Sequence, residues 1–106
     1  MSNTRNVQFL DGMLGGVTPY RIDAADGAVT AKAFDALYVA ADVILTTLTD
    51  SAAANVLTAC NITTDVDTIE AGMILKPAQG KTIAAVTVKS GDTGVVYGLT
   101  YPSPSV

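Results

Sequence analysis

Catalysis needs a nucleophile with a base, a pair of carboxylates, or a bound metal. The chain has no histidine, so the commonest general base and the commonest zinc ligand are both missing. Cys60 is the only cysteine, and it has no imidazole to activate it. The run Gly12-Met13-Leu14-Gly15-Gly16 lacks the Lys-Ser/Thr that completes a phosphate-binding loop. The densest carboxylates, Asp65, Asp67 and Glu70, faintly echo a calcium loop, but the twelve-residue ligand pattern of an EF-hand is absent. They read as a solvated turn ahead of a strand. These residues predict no enzyme, no cofactor and no tightly held metal.

Charge and composition narrow the remaining classes. Six basic residues against ten acidic ones give a net charge of −4, and an acidic chain does not attract phosphate backbones. The basic residues Arg5, Arg21, Lys32, Lys76, Lys81 and Lys89 are too scattered to form a stripe, so nucleic acid is not an expected partner. No apolar stretch approaches the ~20 residues of a membrane helix, and no apolar run follows the first residues as a signal peptide requires. A lone cysteine cannot close an intrachain disulfide, which fits folding in a reducing cytoplasm. Asn61-Ile62-Thr63 matches a glycosylation acceptor, a chance match in a chain expected to lack a secretory signal.

The elements that position these residues read as β. Residues 1–33 are punctuated by glycine and proline, and they predict an extended N-terminal arm with one or two short strands. Residues 34–106 predict the body, a small antiparallel β-sandwich or jelly-roll with a short extended tail. Its strands fall at 36–39, 43–48, 56–62, 73–76, 82–89 and 95–101, separated by turn residues. Within 56–62, Val56, Thr58, Cys60 and Ile62 share one face, with Cys60 a small buried hydrophobe. Within 82–89, Ile83, Ala85 and Thr87 face one way, and Ala84, Val86 and Val88 the other. The expected core is Ile44, Val56, Ile62, Ile74, Ile83, Val86 and Val95. Alanines at 24–41 and 51–57 favour helix, so short turns of helix at 31–34 or 50–55 are compatible with this reading. A whole bundle is not, because β-branched residues occupy the positions its helices would need.

Nearly half the residues are hydrophobic, 49%, and only 15% are charged. A single small domain buries only part of its surface, so the excess predicts a subunit interface. The tyrosines Tyr20, Tyr38, Tyr97 and Tyr101 read as core, as interface or as a sugar-binding face. Acidic residues crowd 34–75 and lysines 76–106, either as solvated loops or as complementary surfaces of neighbouring subunits. Phe9, Leu10, Met13 and Leu14 lie close together between glycines. They predict contact with a partner, the alternative being that the arm folds back as an edge strand and fills the body's core.

The body resembles the capsid decoration, or cement, proteins of tailed bacteriophages, which are small β-sandwich virion proteins. The resemblance is carried by Phe34-Asp35-Ala36-Leu37-Tyr38-Val39, Ile44-Leu45-Thr46-Thr47-Leu48-Thr49-Asp50 and Asn61-Ile62-Thr63. It continues through Thr68-Ile69-Glu70-Ala71-Gly72-Met73-Ile74-Leu75, Ile83-Ala84-Ala85-Val86-Thr87-Val88-Lys89-Ser90-Gly91 and Val95-Val96-Tyr97. It covers 34–97 and is a texture of strands and turns rather than a chemical signature. It implies a structural protein on the outer capsid surface, made in the cytoplasm of a host bacterium. Its implied partners are itself, as a homotrimer, and the major capsid protein. A tail, neck or fibre-base virion protein is a close variant. A carbohydrate-binding β-sandwich is the alternative from another class, and the lack of tryptophan argues against the aromatic platform it would need.

Overall fold

β-Branched and apolar runs broken by turn residues produce seven antiparallel strands in a computed structural model that describes residues 17–102. These are β1 (Thr18–Asp23), β2 (Ala28–Val29), β3 (Ala36–Ala41), β4 (Leu45–Asp50), β5 (Ile74–Leu75), β6 (Ile83–Val88) and β7 (Val95–Thr100). They form two sheets, one of order β1-β7-β3-β5 and one of order β2-β6-β4. The fold is all-β. Ile22, Leu37, Val39, Leu75 and Val96 from the first sheet meet Val29, Leu45, Leu48, Ile83, Val86 and Val88 from the second in one core.

The described part of the N-terminal third belongs to these sheets. Thr18–Asp23 pairs along the full length of β7, Ala28–Val29 pairs with β6, and Ile22 is fully buried. The body therefore takes in β1 and β2 as well and does not begin at Phe34. Between β1 and β2 the chain turns through a short 3-10 segment, Ala24–Asp26. Its capping box has Asp23 accepting from the Ala25 amide while Asp26 accepts from the Asp23 amide.

Strict alternation fails in the second sheet. β4 and β6 each carry one unpaired extra residue, so both show the same pattern of buried positions. A bulge moves the following side chains to the opposite face. Ile83 therefore faces the core with Val86 and Val88, not apart from them.

Residues 56–62 correct the sequence reading most sharply. Val56–Ala59 is a helical turn, α1, and not a strand. The Asn55 side chain accepts hydrogen bonds from the amides of Leu57 and Thr58, which starts the turn. Val56 and Leu57 plug the sandwich, whereas Cys60 is exposed. Of the expected core, Val56, Ile83 and Val86 are buried, Ile44, Ile62 and Val95 are half-buried, and Ile74 is 43% exposed.

Candidate interaction face

β3 and β7 occupy the middle of the four-stranded sheet, and each is apolar on both sides. On the inner side, Leu37, Val39 and Val96 enter the core, and Gly98 lies against the Phe34 ring. A Cβ on Gly98 would stand 2.5 Å from that ring. Tyr20 closes the same spot from β1, with its ring centroid 5.6 Å from that of Phe34 and the Lys32 ammonium 4.5 Å above it. On the outer side a second cluster forms from Val17, Ala36, Tyr97 and Leu99, with Tyr38, Ala40, Val95 and Tyr101 packed around it. Ala36 and Leu99 are cross-strand partners, and both are 0% exposed although they point away from the core.

Antiparallel sheets with one solvated face show polar residues at alternate positions. β4 does so, with Thr46, Thr47 and Thr49 between its buried residues. β3 (Ala-Leu-Tyr-Val-Ala-Ala) and most of β7 (Val-Val-Tyr-Gly-Leu-Thr) do not. These continuous apolar runs are the sequence signal of a sheet covered on both sides, and reading them as ordinary half-buried strands missed it. Three of the four tyrosines converge here, yet Tyr97 is only 7% exposed. Its ring is packed within the cluster and is not a free platform for a sugar. Toward β5 the face opens: Tyr38 pairs with Ile74, and Ile74 and its neighbour Met73 are both exposed.

The carboxylates Asp65 and Asp67 are engaged within the loop and by its neighbouring strand. Asp65 Oδ1 accepts from the Thr46 hydroxyl at 2.5 Å, and Asp67 Oδ2 accepts from the Thr63 amide at 2.8 Å. Lys89 donates to the Asp65 carbonyl oxygen. No group of three or more histidine, cysteine or acidic side chains able to hold a metal ion exists among the described residues. Two shallow hollows flank this loop, of about 250 and 240 Å³. The first is lined by Asn55, Thr58, Asn61, Ile62, Thr63 and Thr64, the second chiefly by Cys60, Ile62, Ile69 and Met73. Neither gathers opposed charges or paired acids suited to acid–base work.

Comparison of the chain with protein-family models, with curated proteins and with solved structures finds no match. Among the described residues the one ion pair joins Arg21 to Asp23 at 2.6 Å. The Arg21 hydrogen bond, helped by the Ala25 amide, holds the Asp23 carboxyl below its ordinary value. The same bond raises the Arg21 guanidinium. This pair sits on an edge strand, and inward- or outward-pointing charge on an edge discourages further strand addition. Phe9, Leu10, Met13 and Leu14, the expected partner contacts, lie outside the described residues.

Proposed function

We propose that this chain is a structural protein of a tailed-phage virion, a decoration protein that joins copies of itself and the major capsid protein on the outer capsid surface. The observation that carries the reading is the exposed Ile74 at the margin of the four-stranded sheet's apolar outer face, beside Tyr38. Exposed apolar side chains continuous with a packed apolar face are surface suited to another protein. The aspartates, which in an enzyme would be the first candidates for acid–base work, are occupied in turns. The resemblance over 34–97 supplies the virion setting and the number three for the oligomer.

The test is sedimentation velocity on the purified protein, followed by co-sedimentation with capsids that lack a decoration protein. The expected results are a trimer and saturable binding to the particles. Ile74→Lys, which puts a charge on the exposed margin, is expected to weaken both while leaving the far-UV circular dichroism spectrum unchanged. A wild-type protein that stays monomeric at micromolar concentration and does not bind particles overturns the proposal.

A further inference from the structure

The edge strand β5 carries two apolar features on its two sides. Successive residues of a strand point to opposite faces. Ile74 stands beside Tyr38 on the outer face and is 43% exposed. Met73 turns the other way and lines the second hollow with Ile62 and Ile69. At about 240 Å³ this hollow is smaller than the roughly 300–1,000 Å³ of small-molecule sites, and it suits a single apolar side chain. Each feature has a charge beside it. Glu70 lines the hollow and is exposed, held next to Met73 by a turn in which the Met73 amide donates to the Glu70 carbonyl oxygen at 3.3 Å. Lys76, two residues beyond Ile74, is exposed as well. Neither Glu70 nor Lys76 has an ion-pair partner among the described residues.

We propose that the hollow is the socket for a second copy of this chain: Ile74 of one copy seats in the hollow of the next, and Lys76 of the first pairs with Glu70 of the second. The chemistry is complementary on both counts, an apolar side chain with an apolar lining and a lysine with a carboxylate. The wider charge pattern agrees, since residues 34–75 carry acids and no lysine or arginine, and lysines follow from Lys76 onward. A chain cannot fill its own socket, because its Ile74 points to the other side of β5. Pairing of two β5 edges is a poor alternative. The strand is two residues long, and Pro77 follows it closely without an N–H to donate. Plug and socket on opposite sides of one strand make the contact head-to-tail, which closes into a ring or runs on as a filament. The inference rests on the self-association in the virion reading and deepens it, and the trimer of that reading corresponds to the closed ring.

Charge reversal tests it, read by sedimentation velocity on the full-length protein at a concentration where half of the wild type is associated. Glu70→Lys and Lys76→Glu should each lose the oligomer boundary. The double variant Glu70→Lys/Lys76→Glu should regain it, and so should an equal mixture of the two single variants, because each then meets its opposite charge on another copy. Thr68→Trp fills the hollow from an exposed position. It should abolish association while the far-UV circular dichroism spectrum stays that of the wild type. A wild type that stays monomeric overturns this inference together with the self-association it rests on. A wild-type oligomer that survives Thr68→Trp, or whose two charge reversals fail to rescue one another, overturns this inference alone.

Discussion

The aspartates act as fasteners between segments distant in the chain. Asp35 accepts from the Tyr101 amide, Asp42 from the Ala71 amide, and Asp92 from the amides of Ile44 and Gly94. Asp50, only 5% exposed, accepts from the amides of Ala52 and Ala54 with one oxygen. Asp50→Ala removes both bonds in this turn, and hydrogen bonds to a charged group contribute about 1.5–3 kcal/mol. Calorimetry should show a correspondingly lower melting temperature. At Gly98 there is no room for a methyl group beside Phe34. Gly98→Ala should destabilise by about 1–3 kcal/mol through overpacking, measured by urea denaturation. Asp23 is the residue with a legible pH response. Its carboxyl is held below the ordinary 3.8 chiefly by the hydrogen bond from Arg21. The stabilisation it brings is complete above that ordinary value and is lost as pH falls through the depressed one. An NMR titration should therefore find its midpoint below 3.8, and Arg21→Ala should move it upward.

At the scale of elements, α1 depends on its first residue. A helix of four residues cannot sustain itself by propagation, so the Asn55 cap and the burial of Leu57 decide whether it forms. Asn55→Ala should cost about 0.5–2 kcal/mol, and Leu57→Ala about 2–5 kcal/mol, both by chemical denaturation. The sequence showed the strands around this turn because Val, Ile and Thr cluster there, and β3, β4, β6 and β7 lie within two residues of expectation. It hid α1 because Val56-Leu57-Thr58-Ala59-Cys60 alternates well enough to pass for a strand, whereas the deciding signal was a single capping asparagine. It misassigned the faces of β6 because a bulge leaves no mark in a period-2 count. The N-terminal strands were obscured by Gly and Pro around short segments, although Ile22 sits in the core as firmly as any residue. Cys60 followed from the same misreading. In the folded protein it should react with a thiol reagent at the rate of an exposed cysteine, a stopped-flow measurement that separates α1 from a buried strand.

At the scale of the whole molecule, the two sheets differ in their outer faces. The three-stranded sheet turns threonines outward, and the four-stranded sheet turns out alanine, valine, leucine and tyrosine. This asymmetry, more than the core, is where a function must be sought, and it was legible only as the unbroken apolar character of β3 and β7. If copies associate through this margin as proposed, native mass spectrometry at equal concentration should show a smaller oligomer fraction for Ile74→Lys than for wild type. The strand order has a further consequence for how the molecule comes together. Among the described strands β7 comes last in sequence, yet it lies between β1 and β3, with Thr18 opposite Thr100 and Ala36 opposite Leu99. Neither of its neighbours can complete its hydrogen bonds until β7 has left the ribosome. Pairings this distant in sequence place small β domains among the slow folders, in milliseconds to seconds. Until that moment β1 and β3 present open edges and an apolar sheet with its middle missing, so closure of the whole sandwich is timed to the arrival of one six-residue strand.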